Sequence, residues 1–124
     1  MACDAMHILS IDHIHFNFAP QYREQIRFFY VTVLGARELP VPENRHVLQF
    51  LLGSQRLYFT PQALRRSPSA AQHVAFNVQG MGDLKNRLLA FDLVFIENHP
   101  AMAAQQVYIK DPAGNQLEFL ELAA

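Results

Sequence analysis

The sequence predicts an α+β domain built from two tandem βαβββ modules, which form a half-open mixed β-barrel with the helices on the outside. Two observations predict it: an internal repeat at an offset of 60 residues, and the same order of strand and helix patterns in both halves. A length of 124 residues suits one domain that holds one duplicated unit. We therefore expect a single domain over residues 1–124, with module one at about 8–61 and module two at about 70–124.

The repeat is carried by two pairs of segments. Residues 12–18 (Asp-His-Ile-His-Phe-Asn-Phe) resemble residues 72–78 (Gln-His-Val-Ala-Phe-Asn-Val), and residues 57–59 (Leu-Tyr-Phe) resemble residues 117–119 (Leu-Glu-Phe). Both pairs share one offset, which chance rarely produces in so short a chain. The repeat therefore indicates a tandem duplication with modules of roughly 60 residues.

In module one, the period-2 alternation over residues 10–18 predicts a half-buried strand. Pro20 suits the first turn of a helix, and Gly35 can end that helix. The buried face of the helix consists of apolar residues at helical spacing: Tyr22, Ile26, Phe29, Tyr30 and Val33. Three strand-like runs follow, near residues 37–41, 46–52 and 55–60.

Module two repeats this order. It has a predicted strand at 72–79 and a helix at about 82–91 with Leu84, Leu88 and Phe91 on one face. Strands follow near 93–97, 104–110 and 116–122. Residues 111–115 (Asp-Pro-Ala-Gly-Asn) are the clearest turn in the chain and join the last two strands. The loop Pro61–Ser69 is the expected boundary between the modules.

Strand parity predicts which side chains share a face, because alternate residues of a strand point to opposite sides. The helices should cover the apolar face, and the opposite face carries polar residues in both modules: His13, His15, Asn17, Tyr58, His73, Asn77 and Glu118. Two histidines and one carboxylate on a rigid sheet are typical of an open metal site, which leaves positions for water or substrate. We therefore predict metal ligands at His13, His73 and Glu118; the alternative is a wetted sheet face with no ion.

These patterns resemble the vicinal oxygen chelate superfamily, which includes glyoxalase I, fosfomycin-resistance proteins, extradiol dioxygenases and bleomycin-resistance proteins. The resemblance covers nearly the whole chain. It is carried by residues 12–14 (Asp-His-Ile), 28–30 (Phe-Phe-Tyr), 33–35 (Val-Leu-Gly), 72–76 (Gln-His-Val-Ala-Phe) and 111–118 (Asp-Pro-Ala-Gly-Asn-Gln-Leu-Glu). The last segment is the most specific of these.

The resemblance implies that His13, His73 and Glu118 match the family's metal ligands. Tyr58 stands where glyoxalase I-like members place a fourth ligand, a carboxylate, so the chain departs from the lactoylglutathione lyase pattern. The remaining set of two histidines and one glutamate resembles the fosfomycin-resistance and dioxygenase branches. Members of this group commonly dimerise, which implies a homodimer in which His13 completes a site with His73 and Glu118 of the partner; an intrachain site is the open alternative.

The function that follows is a metal-dependent enzyme of glyoxalase or dioxygenase type, acting on a small substrate that chelates a divalent ion through adjacent oxygens. The ion could be Fe, Mn, Ni or Zn. His15 is a candidate acid/base, and Tyr58 and Tyr108 are candidates for orienting a substrate oxygen; the alternative for each is a residue that merely lines the pocket. The competing class is a non-catalytic small-molecule-binding protein of bleomycin-resistance type.

Composition limits the partners and the compartment. The net charge of −1 and the absence of a Lys/Arg stripe argue against nucleic acid. No apolar run approaches the ~20 residues of a membrane span, and the N-terminus lacks a signal-peptide pattern. A single cysteine cannot form an internal disulfide. We therefore expect a cytoplasmic protein that binds a small molecule.

Overall fold

The computed structural model describes residues 5–42, 45–63, 73–98 and 104–122. Module one contains β1 (His13–Phe18), a 3-10 turn (Pro20–Tyr22), α1 (Arg23–Arg27), a π-helical segment (Phe28–Val33), β2 (Arg37–Glu38), β3 (Leu48–Leu52) and β4 (Gln55–Pro61). Module two contains β5 (His73–Asn77), α2 (Met81–Ala90), β6 (Ile96–Glu97), β7 (Ala104–Lys110) and β8 (Gln116–Leu122). The prediction of an α+β fold with two tandem βαβββ modules is confirmed.

The two modules form separate four-stranded sheets with the same topology. Their strand orders are β1-β4-β3-β2 and β5-β8-β7-β6, and in each sheet the first pair is parallel while the other two are antiparallel. Ile14 pairs with Leu57 in one sheet and Val74 pairs with Leu117 in the other, so the registers repeat at the offset seen in the sequence. β1 and β5 are edge strands, which leaves each sheet open on that side within the described residues.

The helices begin and end close to their predicted positions. The first helical stretch starts at Pro20, and Gly35 ends it with a φ of +80°, a left-handed conformation that glycine adopts without strain. The second helix starts one residue earlier than predicted, at Met81. Within the ranges described here, no helix is both long enough and apolar enough to cross a membrane.

The outer strands are shorter than predicted. The strand residues that pair with β3 are Arg37 and Glu38, and those that pair with β7 are Ile96 and Glu97. One further backbone hydrogen bond follows each pair, from Leu39 N–H to the Gln49 carbonyl at 2.8 Å and from Asn98 N–H to the Gln106 carbonyl at 3.1 Å. The predicted boundary loop Pro61–Ser69 lies largely outside the described residues.

One apolar core lies between the sheets and the helices. It contains the inward residues of the central strands β4 and β8, among them Leu57, Phe59, Leu117 and Phe119, all fully or almost fully buried. The parity predicted for these strands is therefore correct for their apolar face. The opposite face of each sheet is the one that carries the predicted site residues.

A buried hydrogen bond joins the two modules. The hydroxyl of Tyr30, which is fully buried, donates to Asp111 Oδ2 at 2.6 Å. Asp111 Oδ1 accepts from the backbone N–H groups of Ala113 and Asn115 at 2.9 and 2.8 Å, and Asp111 Oδ2 accepts from Asn115 Nδ2 at 2.9 Å. Burial raises the pKa of Asp111, and these hydrogen bonds offset part of that increase. The predicted turn at 111–115 is confirmed and is anchored to the helical segment of module one.

We expect Tyr30→Phe to lower the free energy of unfolding by about 1–3 kcal/mol, because it leaves a buried carboxylate without one of its donors. Chemical denaturation followed by circular dichroism measures this. Tyr22→Phe is the matched control, since it removes the same hydroxyl from an exposed ring. Equal losses in the two variants would contradict a structural role for the hydrogen bond between the modules.

Glu121 caps the start of α2. Its two carboxylate oxygens accept from the backbone N–H groups of Gly80 and Met81, each at 2.9 Å. These hydrogen bonds to Met81 and Gly80 lower the pKa of Glu121 below its ordinary value of 4.5. The carboxylate therefore lies on the helix side of β8, in agreement with the parity that separates Glu121 from Glu118.

The depressed pKa of Glu121 gives the cap a defined pH dependence. Its stabilisation is present above the pKa of the unfolded chain and is lost as pH falls through the lower pKa of the folded state. We expect Glu121→Gln to lower the melting temperature near neutral pH, and the gap to the wild type to close at strongly acidic pH. A gap that is independent of pH, measured by thermal denaturation, would exclude the charged cap as its cause.

Candidate metal centre

Sheet two arranges one group of polar side chains around Glu118. Glu118 on β8 pairs with Ala75 on β5 and with Tyr108 on β7, so these three residues point to the same face. His73 lies one pleat along β5 from Ala75 on that face. We call His73, Gln106, Tyr108 and Glu118 the Glu118 cluster.

Glu118 is the centre of this cluster, and it is 7% exposed. Its Oε2 lies 3.1 Å from His73 Nε2, and its Oε1 accepts from Gln106 Nε2 at 3.0 Å. Burial raises the pKa of Tyr108, and the charge of Glu118 and a hydrogen bond to it raise that pKa further. The cluster therefore presents a histidine nitrogen and a carboxylate oxygen side by side, with a phenol that stays protonated near neutral pH.

Sheet one holds a second group around His13. The imidazole of His13 stacks on the ring of Tyr58, with centroids 4.0 Å apart and planes 15° from parallel. Its Nδ1 lies 3.0 Å from Asp12 Oδ2. We call Asp12, His13 and Tyr58 the His13 cluster. The side chain of His13 keeps 40% of its surface exposed, so the imidazole is open to a further partner.

His15 is engaged elsewhere on the same face. Its Nε2 lies 2.6 Å from the Thr60 hydroxyl oxygen, on the neighbouring strand β4. This contact gives His15 a side-chain partner on β4. The acid/base role predicted for His15 stays a prediction.

The structure brings together some of the predicted residues and leaves others apart. His73, Tyr108 and Glu118 lie together, and His13 and Tyr58 lie together. Across the described part of the chain, no three His, Cys, Asp or Glu side chains form a group that could hold a metal ion. One chain therefore offers two partial ligand sets, and the metal site predicted from the sequence stays a prediction.

Three residues of the polar faces were not predicted as site residues: Asp12 and Gln106, which belong to the clusters, and Thr60, which contacts His15. Thr60 has the parity of Tyr58 on β4, and Gln106 has the parity of Tyr108 on β7, so each belongs to the polar face. Asp12 lies within the strand predicted over residues 10–18, but β1 starts at His13, so the contact of Asp12 with His13 does not follow strand parity.

The donor set of the Glu118 cluster fits a divalent cation. Imidazole nitrogen and carboxylate oxygen are ligands that iron, manganese, nickel and zinc all accept. Glu118 is also a buried carboxylate, and two of its hydrogen-bond donors within the cluster, the amide of Gln106 and the phenol of Tyr108, are neutral. Burying an anion is unfavourable unless a positive charge compensates it, so a cation beside Glu118 would lower that cost.

A cavity of about 310 Å³ adjoins the Glu118 cluster. Tyr108 belongs to both, and the cavity lies against the paired strands β6 and β7, along Val94, Ile96 and Lys110. Its lining combines aliphatic and aromatic side chains with one amide and one ammonium group. The space is of the size that a small organic molecule occupies.

The architecture and the polar faces define a class of protein, the vicinal oxygen chelate fold, and solved structures of that class match the chain. A glyoxalase-family protein from Bacillus anthracis matches with a TM-score of 0.84 and 27% identity, covering 96% of this chain and 99% of the other. The fosfomycin resistance protein FosX from Listeria monocytogenes matches with a TM-score of 0.78 and 15% identity, covering 94% and 96%. Lactoylglutathione lyase from Agrobacterium tumefaciens matches with a TM-score of 0.69 and 21% identity, covering 90% and 92%.

These neighbours are all members of the vicinal oxygen chelate superfamily, so the resemblance found in the sequence is confirmed. No protein-family model matches the chain, and no curated protein matches its sequence. The likeness to the fosfomycin resistance protein and the lyase, at these low identities, establishes a shared fold.

Proposed function

We propose that the chain is a metal-dependent enzyme of glyoxalase or dioxygenase type, whose small substrate chelates a divalent cation through adjacent oxygens. One observation carries the proposal: the 3.1 Å approach of His73 Nε2 to Glu118 Oε2 on the polar face of sheet two. Both residues stand where the resemblance implies metal ligands. The choice among iron, manganese, nickel and zinc is left to measurement, since this donor set suits all four.

The third ligand of the proposed site is His13, contributed by a second copy of the chain. Within the described residues one chain does not assemble three ligands, yet it exposes a one-ligand cluster on sheet one and a two-ligand cluster on sheet two. In a homodimer with twofold symmetry, each one-ligand cluster can meet the two-ligand cluster of the other chain, which gives two equivalent sites. The side chains of His13 and His73 are 40% and 38% exposed, so each imidazole can reach a second chain.

A bound divalent cation supplies Lewis-acid stabilisation of negative charge on a substrate oxygen. The remaining functions fall to side chains. Gln106 holds the Glu118 carboxylate in place through its 3.0 Å hydrogen bond. Tyr108 stays protonated at neutral pH because burial and Glu118 raise its pKa, and its hydroxyl donates to the Glu118 carboxylate. Its predicted role in orienting a substrate oxygen requires that this hydrogen bond be exchanged for one to the substrate. His15, whose Nε2 lies 2.6 Å from the Thr60 hydroxyl oxygen, is the candidate acid/base group.

A non-catalytic binding protein of bleomycin-resistance type is the second candidate. It is favoured by Tyr58, which occupies the position of a fourth, carboxylate ligand and is stacked on His13 instead. In that case the cavity beside Tyr108 would hold an organic ligand without a metal ion. The metal measurement below separates the two candidates.

We expect wild-type protein incubated with Fe(II), Mn(II), Ni(II) or Zn(II) and desalted to retain one of these ions at close to one per chain. His73→Ala and Glu118→Ala should each weaken binding by more than about 100-fold, since losing a ligand exceeds the 10–100-fold cost of losing an outer contact. Elemental analysis measures retention, and His7→Ala, an exposed histidine of the same chain, is the control. Full retention by both variants would refute the assignment of ligands, and no retention by the wild type would favour the binding protein.

Mixing variants tests whether the site is shared between chains. His13→Ala and His73→Ala homodimers should each lack a complete site, whereas a heterodimer of the two contains one intact site. After subunit exchange at equal amounts, metal capacity should return to about one quarter of the wild-type value, because half the dimers are mixed and each has one of two sites.

The matched control is a mixture of His73→Ala with Glu118→Ala. Both substitutions affect the same two-ligand cluster, so no intact site can form in their heterodimer. Restoration in the first mixture but not in the second supports a shared site. If neither mixture regains metal capacity, and mass spectrometry verifies subunit exchange, the site is not shared between chains. All three ligands would then come from one chain, or His13 would not be a ligand.

A further inference from the structure

We propose that Asp12 and Tyr58 are positioning residues for His13. Together they fix the tautomer and the plane of its imidazole, so that Nε2 offers its lone pair to a divalent cation. This inference rests on the proposed function, because it concerns how one ligand of that site is prepared. It adds two residues to the site: Asp12, whose counterpart in the repeat is the uncharged Gln72, and Tyr58, whose ring stands where Glu118 stands in module two.

The first contact sets the tautomer. A carboxylate only accepts hydrogen bonds, so the 3.0 Å approach of Asp12 Oδ2 to His13 Nδ1 places the proton on Nδ1. In the neutral ring the lone pair is then on Nε2, the nitrogen turned away from Asp12. Carboxylates commonly hold the non-ligating nitrogen of metal-binding histidines in this way. His15 differs, because its Nε2 already contacts the hydroxyl of Thr60.

The second contact sets the plane. Tyr58 lies on β4, beside β1, and its ring covers one face of the His13 imidazole at 4.0 Å and 15°. A stack this close to parallel restricts rotation of the imidazole about its side-chain bonds. The stacking also gives Tyr58 a role at the position where the resemblance implies a carboxylate ligand in glyoxalase I-like members. The ring supports a neighbouring ligand and is not a ligand itself.

His13 needs this support more than the other proposed ligands do. Glu118 is almost fully buried and is held by Gln106, whereas the side chain of His13 is 40% exposed. His13 is also the first residue of an edge strand, where the backbone is held on one side only. If His13 meets the other two ligands across a subunit boundary, residues of its own chain have to orient it. Asp12 and Tyr58 of that chain both contact the His13 ring.

The first test uses the metal-free protein. Long-range ¹H–¹⁵N spectra recorded at mildly alkaline pH report which nitrogen of His13 carries the proton. We expect the Nδ1–H form in the wild type and a shift towards the Nε2–H form in Asp12→Ala. Asp12 is 81% exposed, so this substitution leaves the fold intact. An unchanged tautomer in Asp12→Ala would overturn the role of Asp12.

The second test measures affinity by titration with Zn(II). Asp12→Ala should weaken binding by about 10–100-fold, the usual cost of losing an outer-shell carboxylate, and Asp12→Asn, which keeps an acceptor oxygen, should recover part of that loss. Tyr58→Phe should bind as the wild type does, because it keeps the ring, whereas Tyr58→Leu should bind more weakly. Equal losses in Tyr58→Phe and Tyr58→Leu would overturn the platform role and assign the effect to the hydroxyl.

His13→Ala separates failure of this inference from failure of the proposed function. If His13→Ala binds Zn(II) as tightly as the wild type, His13 is not a ligand and the shared site itself is wrong. If His13→Ala loses binding while Asp12→Ala and Tyr58→Leu keep both tautomer and affinity, the site stands and the positioning roles are wrong.

Discussion

The hydrogen bond between Tyr30 and Asp111 gives the packing of the two modules a defined geometry, because it is a buried polar contact between them. An apolar core can be packed in more than one way, whereas a buried carboxylate needs its donor in one geometry. Asp111 also organises the turn between β7 and β8, and β8 carries Glu118. The interaction that fixes module two against module one therefore also fixes the strand on which the candidate metal centre lies.

Strand parity and the repeat were sufficient to predict the architecture and most of the candidate site. His73 and Glu118 were predicted on one face because parity is a local property of the backbone, and their strands are neighbours in the sheet. Parity was not applied to Tyr108, and the structure places it beside Glu118 on that face. The lengths of β2 and β6 were overestimated, since the length of an outer strand depends on how far its neighbour can pair with it. The extent of this pairing is set by tertiary structure and leaves no periodic signal in the sequence.

The contacts of His13 could not be predicted for a related reason. Parity placed His13 and Tyr58 on one face, but the parallel pairing of β1 with β4 decides that their rings meet. Asp12 precedes the strand, so no periodicity describes where its carboxylate points. Sequence reasoning also could not tell an intrachain site from a shared one, and the structure divides the candidate ligands into two groups on two sheets.

If the proposed site is shared between two chains, ion binding is linked to association. When three ligands come from two chains, association increases the affinity for the ion, and the bound ion increases the affinity between the chains. The two effects have the same free energy. Occupancy of the metal site then depends on the concentration of the protein as well as on that of the free ion, because dilution dissociates the dimer by mass action. A cell that makes little of this protein would hold it as empty single chains, and rising expression alone would complete its sites.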